Sequence, residues 1–185
     1  AQILAAALLP ADASFTARLA ASVAGMAIAA GIGAWHLRAR GATWEELGCD
    51  GRAWREDLRL AAAGLALVLC PLLALSTLLD RLVPYRHPII EYLATHRDPA
   101  AVGFVLLSAL VVAPLAEEFI FRRVLQGWLL SRTQGDATTA VLVQALAFGV
   151  AHAGQGLAPV PLTLFGIVLG WLTLQTGTLV PAVVL

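Results

Sequence analysis

Apolar residues run through the chain in long stretches that short polar segments separate. A helix that spans a bilayer needs about 20 mainly apolar residues. The stretches of suitable length predict spans at residues 15–37, 60–79, 100–130, 136–153 and 159–175. A sixth span begins near Thr178 and is cut off at Leu185. The pattern therefore predicts an all-α protein, a polytopic transmembrane helical bundle of about six spans with the last one truncated.

Both ends of the chain lie in apolar sequence. Residues 1–9 (AQILAAALL) are too short to span a bilayer and lack the basic start of a signal peptide. Two interpretations are open for them: the tail of a removed helix, or a segment on the surface. The chain also ends inside an apolar stretch, LVPAVVL, so we expect it to be cut at both ends.

The polar segments between the predicted spans differ in basic residues, all of which are Arg. Residues 38–59 contain five Arg, residues 80–99 contain three, and Arg132 lies in the turn 131–135. Cytoplasmic loops of membrane proteins carry an excess of Lys and Arg. Because alternate loops share a side of the membrane, the loop 38–59 and the turn 131–135 are predicted to be cytoplasmic.

Composition agrees with a membrane location. The mean hydropathy is +0.82, and only 13% of the residues are charged, against about 25% in soluble domains. The formal net charge is zero, so no nucleic-acid partner is expected. The partner that the composition does predict is the lipid bilayer itself.

Two adjacent carboxylates interrupt the third predicted span. Glu117 and Glu118 lie beside strongly apolar sequence, where an ionisable residue costs about 3 kcal/mol and is taken as functional by default. Glu118 and Arg122 are four residues apart, so they share a helix face and can form an ion pair. Glu117 points about 100° away from Glu118. We therefore interpret Glu118 and Arg122 as a structural clamp, and Glu117 as a general base that faces a cavity.

The fourth predicted helix offers a partner for Glu117. Phe148 and His152 share a face of that helix. Glu117 lies about 21 Å before the turn at 131–135 and His152 about 25 Å after it, at 1.5 Å per residue. The two side chains can therefore share one water. Taken alone, a buried His such as His152 is more often a hydrogen-bonded core residue. A Glu–Arg pair in a membrane bundle can be purely structural or part of an ion path.

Two short motifs resemble those of a known family. EEFIFR, residues 117–122, and FGVAH, residues 148–152, are similar to the EExxxR and FxxxH motifs of the CAAX prenyl endopeptidase family, type II. This group is also called the CAAX protease and bacteriocin-processing family. Residues 165–185 resemble the family segment that leads into its last motif, and the resemblance covers roughly residues 100–185.

The resemblance implies a glutamic-type intramembrane endopeptidase in a bacterial plasma membrane. Glu117 would activate water with help from His152, and Glu118, Arg122 and Phe148 would support them. The substrate would be a membrane-associated peptide or a lipidated protein, prenylated CAAX proteins among them. The family's final motif, a His or Asn pair, is expected beyond Leu185. Residues 100–185 would then form the catalytic core, and residues 1–99 the N-terminal helices and charged interfacial loop of the same membrane domain.

Three alternatives to a metal-free protease remain open. A zinc enzyme would hold its metal with Glu117 and His152, but HExxH is lacking and we expect no cofactor. A non-enzymatic protein, such as a bacteriocin self-immunity factor or a scaffold, could have the same fold. A transporter or ion path would use Glu117 and Glu118, although no internal inverted repeat supports it.

Overall fold

The computed structural model describes residues 9, 10, 12–48 and 53–185, and within these ranges every regular element is helical. The predicted all-α class is therefore confirmed. The predictions for residues 1–9 fall almost entirely outside the described residues. The helices are α1 Phe15–Ala39, α2 Trp54–Leu82, α3 Pro88–Thr95, α4 Pro99–Arg132, α5 Ala137–Val150, α6 Pro159–Thr176 and α7 Val180–Val184.

Helices α1, α2, α4 and α6 are long and apolar enough to cross a membrane. Their large apolar side chains face outwards: Leu67 on α2 is 77% exposed and Leu110 on α4 is 71% exposed. Apolar surfaces of this kind, on helices long enough to span, fit the hydrocarbon interior of a bilayer. The chain is therefore an integral membrane protein. Its organism and the side on which each loop lies stay predictions.

Helix α5 is shorter than the predicted fourth span. Its 14 residues extend about 21 Å at 1.5 Å per residue, less than the hydrocarbon thickness of about 30 Å. It begins at Ala137, directly after Asp136, whose carboxylate accepts hydrogen bonds from the backbone N–H groups of Thr138 and Thr139. It ends at Val150, and a series of turns then leads to α6.

The described residues fall into two compact units. The first combines the residues up to His36 with residues 86–117. Within it, the rings of Phe15 on α1 and Tyr92 on α3 stack with centroids 4.8 Å apart. Asp98 begins α4 by accepting a hydrogen bond from the backbone N–H of Ala101. The predicted boundary near residue 100, which separates N-terminal helices from a catalytic core, stays a prediction.

The second unit contains residues 37–85 and 118–185, and α5 and α6 form its centre. Small residues bring these two helices together. A Cβ atom on Gly166 of α6 would lie 3.1 Å from the Cα of Ala145, which is fully buried on α5. A Cβ atom on Gly149 would lie 2.6 Å from the carbonyl oxygen of Pro159. The lack of a side chain at Gly166 therefore permits the close packing of α5 and α6.

One end of the second unit ties the loop before α2 to the segment before α7. The backbone N–H of Leu179 donates to the carbonyl oxygen of Gly48 over 3.1 Å. Gly48 has a φ of +84°, a conformation that glycine adopts without strain. Nearby, the hydroxyl of Thr178 donates to a carboxylate oxygen of Asp57, in the first turn of α2, over 2.9 Å. We call the two hydrogen bonds the loop-end latch.

Candidate functional site

Helix α4 is irregular where it carries the Glu pair. It contains two π-helical stretches, Ser108–Val112 and Phe119–Leu125. The backbone N–H of Ala113 donates to Ser108, five residues earlier, immediately before Pro114, which has no N–H to donate. The apolar pattern had predicted one continuous span at residues 100–130 and gave no sign of either stretch. π-Helical turns frequently occur at functional sites, and these two flank Glu117 and Glu118.

Glu118 and Arg122 form the ion pair that their spacing predicts. Nη1 of Arg122 lies 3.0 Å from a carboxylate oxygen of Glu118. Arg122 is only 2% exposed and Glu118 only 4%. The pairing neutralises both charges inside apolar protein, where an isolated charge is costly. Their supporting role in a reaction stays a prediction.

Arg122 also connects the two motifs. Its guanidinium carbon lies 4.4 Å from the centroid of the Phe148 ring on α5. Phe121 packs edge-on against Phe148, with centroids 5.2 Å apart. A cation over an aromatic face is attracted by the negative charge of the ring's π-system. Through Phe148, the ion pair of one motif is therefore in direct contact with the other motif.

His152 follows Phe148 by one turn and packs against it, with ring centroids 4.9 Å apart. Its Nδ1 lies 2.8 Å from the carbonyl oxygen of Phe148. Since a carbonyl can only accept, Nδ1 must donate and therefore carries a proton. In the neutral ring Nε2 is then the nitrogen that accepts hydrogen bonds. This tautomer suits a group that accepts a proton from water.

Glu117, the predicted base, is half-buried and precedes Glu118 directly. It is the last residue of the first unit, whereas His152 belongs to the second. The sharing of one water by Glu117 and His152 stays a prediction. What the second unit brings together is the set Glu118, Arg122, Phe148 and His152.

Two buried glutamines beside this set were missed by the sequence predictions. Gln126 and Gln144 are 1% and 0% exposed, and their side-chain amides donate to backbone carbonyls of α6. A signal was available: Gln126 lies four residues after Arg122, and Gln144 four residues before Phe148. Neither glutamine belongs to a motif, and neither is charged, so this spacing alone pointed to them.

A groove of about 320 Å³ lies where the loop after His152 meets the end of α2. Asp80, Tyr85 and Gln155 are among the residues that line it.

Across the described part of the chain, no group of three or more His, Cys, Asp or Glu side chains is placed to hold a metal ion. The choice between a metal-free and a zinc-dependent site stays a prediction.

Comparison with known families agrees with the motifs. Residues 99–185 match the model of the family described as type II CAAX prenyl endopeptidase Rce1-like. This part of the chain is therefore similar to that family. Both motifs lie inside the matched range, so the resemblance seen in EEFIFR and FGVAH is confirmed. The Rce1-like family is a family of proteases, and at this coarse level the chain is assigned to the hydrolases. Neither a curated protein nor a solved structure gave a match.

Proposed function

We propose that the protein is an intramembrane endopeptidase in which Glu117 activates water for attack on a peptide bond. The observation that carries the proposal is the contact of Arg122 with both Glu118 and Phe148. It joins the two family motifs in one buried cluster. Glu117 is covalently next to that cluster at one motif, and His152 is one helical turn from it at the other.

The chemistry follows from the groups present. Glu117 takes a proton from water as the oxygen attacks the peptide carbonyl, and His152 orients that water through Nε2. The proton then passes to the leaving amine as the C–N bond breaks. The developing oxyanion needs hydrogen-bond donors, which the family resemblance locates beyond Leu185.

Glu118 and Arg122 have a different part in the proposal. Because their charges neutralise each other, the pair adds no net charge to the site. The guanidinium of Arg122 also contacts the ring of Phe148. We therefore assign to them the orientation of the two motifs. Metal-free chemistry needs a base and a group that orients the water, which Glu117 and His152 supply. A zinc ion would need further ligands besides these two residues.

The substrate class proposed here is a membrane-associated peptide or a lipidated protein. The family's description refers to prenylated CAAX substrates, so a fluorogenic prenylated CAAX peptide is the first probe. A peptide of the same sequence without the prenyl group tests whether lipid is required. The membrane to which we assign the protein is a bacterial plasma membrane, with residues 38–59 and 131–135 on the cytoplasmic side.

The test is cleavage of these peptides by the full-length protein in proteoliposomes. Glu117→Gln, which keeps shape but cannot accept the proton, should lower kcat by about a thousandfold or more, and His152→Ala by about a hundredfold or more. Glu91→Gln and His36→Ala, which alter exposed residues, are the matched controls and should leave cleavage unchanged. Full activity of Glu117→Gln contradicts the proposal. Equal biological resistance conferred by wild type and Glu117→Gln would favour the immunity-factor alternative.

A further inference from the structure

Two rows of residues face each other in the second unit, each with steps of four along its helix. The α4 row is Glu118, Arg122 and Gln126, and the α5 row is Gln144, Phe148 and His152. The rows touch in the middle, where Arg122 lies over Phe148. Since α4 and α5 are joined by the turn at residues 133–136, the two glutamines are the members of each row nearest that turn.

Both glutamines are fixed to α6. Nε2 of Gln126 donates to the carbonyl oxygen of Gly170 over 3.0 Å, and Nε2 of Gln144 donates to that of Gly166 over 2.8 Å. Gly166 and Gly170 are one helical turn apart. Each row is therefore attached, by one amide, to the same ridge of a third helix. Inside a bilayer no water competes for these carbonyls, so the amides keep their acceptors.

The absence of a side chain at Gly170 is what admits both amides, and its absence at Gly166 lets α5 approach. A Cβ atom on Gly170 would press on Nε2 of Gln144 and lie 2.9 Å from Oε1 of Gln126. A Cβ atom on Gly166 would lie 3.2 Å from the Cβ of Ala145. The Gly-x-x-x-Gly pattern on α6 is thus a seat for two glutamines as well as a site of close helix packing.

We propose that Gln126 and Gln144 are positioning residues of the proteolytic site. By anchoring their rows on Gly170 and Gly166, they set the register of α4 against α5. That register keeps Arg122 over Phe148, and it sets where Glu118 and His152 lie one turn further along. The inference rests on the proposed function, since it concerns the orientation of that same site.

The first test separates positioning from substrate binding. Gln144→Met keeps the length and packing of the side chain but cannot donate to Gly166. We expect kcat for the peptide probe to fall about tenfold or more, with KM within about twofold, because the variant disturbs the site's geometry and leaves the substrate contacts alone. Gln175→Met, on an exposed position of α6, is the matched control. Unchanged kcat in Gln144→Met overturns the proposal.

A second variant gives a pH signature that a loss of packing would not produce. In Gln144→Glu the protonated carboxyl can donate to Gly166, whereas the carboxylate cannot. The activity of Gln144→Glu relative to wild type should therefore rise as pH falls. The relative activity of Gln144→Met should stay level. If the relative activity of Gln144→Glu does not change with pH and equals that of Gln144→Met, the lost hydrogen bond to Gly166 is not the cause of the lower activity.

A third measurement does not depend on cleavage. Gly170→Ala and Gln144→Ala should each lower the thermal midpoint in detergent. The double variant should lose clearly less than the sum, because the Cβ atom added at Gly170 presses on the Gln144 amide, which the second change removes. Gly127→Ala, where a Cβ atom meets nothing within 4 Å, should combine additively with Gln144→Ala. Additivity at Gly170 overturns the proposed anchor. If the coupling is found but wild type cleaves no peptide, the anchor on α6 stands and the proposed function fails.

Discussion

Among the described residues of the second unit, two carboxylates are buried, and they have different partners. Glu118 is 4% exposed and Asp57 is 3% exposed. Glu118 pairs with the guanidinium of Arg122, whereas Asp57 accepts a hydrogen bond from the neutral hydroxyl of Thr178. At equal burial, the described partner of Glu118 is therefore a cation, and that of Asp57 is a neutral hydroxyl.

The position of each carboxylate along its helix accounts for the difference. Asp57 lies in the first turn of α2, where the backbone N–H groups and the helix dipole favour a negative charge. Glu118 lies far from either end of α4, where the peptide groups are bonded within the helix. A charge in the interior of a span needs a counter-charge, and Arg122 supplies it. Burial alone does not determine the partner that a carboxylate requires.

The largest effect is expected at the ion pair. Arg122→Met leaves Glu118 buried without its cation and should destabilise the protein by about 3–5 kcal/mol. The double variant Glu118→Gln with Arg122→Met removes both charges and should recover most of the stability, though not the cleavage. Thermal unfolding in detergent measures both. A double variant as unstable as Arg122→Met would show that the guanidinium matters through Phe148 rather than through Glu118.

A smaller effect is expected at the loop-end latch. Thr178→Val keeps the shape of the side chain but removes the donor to Asp57, which should cost about 1–3 kcal/mol of unfolding free energy. Thr77→Val is the control. The exposed Thr77 hydroxyl donates to the carbonyl oxygen of Leu73 in its own helix, so its loss should change the free energy of unfolding by less than about 0.5 kcal/mol. If Thr178→Val costs no more than Thr77→Val, Asp57 is sustained by its position on α2 alone.

The same contrast explains how far sequence reasoning reached. The apolar runs predicted the long helices, and the spacing of Glu118 and Arg122 predicted their ion pair, because both depend on neighbours within one or two turns. The hydrogen bond between Asp57 and Thr178 joins residues 121 positions apart. No local periodicity contains such a pairing.

The interior of the site was predictable to a lesser degree. The seating of Gln126 and Gln144 on α6 depends on which helix faces which, and a neutral amide carries no hydropathy signal that marks it as buried. The π-helical stretches of α4 depend on backbone hydrogen bonds that side-chain spacing does not report. Glu117, Glu118 and Arg122 were predictable because a charged group within an apolar span stands out in the sequence.

The smallest effect is expected at a third carboxylate, which has a hydroxyl partner like that of Asp57 but is fully exposed. Asp136 accepts from the hydroxyl of Thr139 over 2.6 Å and from two backbone N–H groups at the start of α5. These hydrogen bonds, that of the Thr139 side chain first, hold the pKa of Asp136 below its usual value. A carboxyl with a lowered folded-state pKa stabilises the fold above its unfolded pKa.

The stabilisation from Asp136 should therefore be complete above about pH 4, the ordinary range of an Asp carboxyl, and be lost as pH falls through the lowered pKa. Asp136→Asn should have a slightly lower thermal midpoint than wild type near neutral pH, and the gap should close in acid. The gap should also be smaller than the loss in Thr178→Val, since water competes for an exposed hydrogen bond. If Asp136→Asn lowers the thermal midpoint as much as Thr178→Val does, burial adds nothing to the Asp57–Thr178 hydrogen bond. If the difference between Asp136→Asn and wild type widens in acid, the lowered pKa of Asp136 is contradicted.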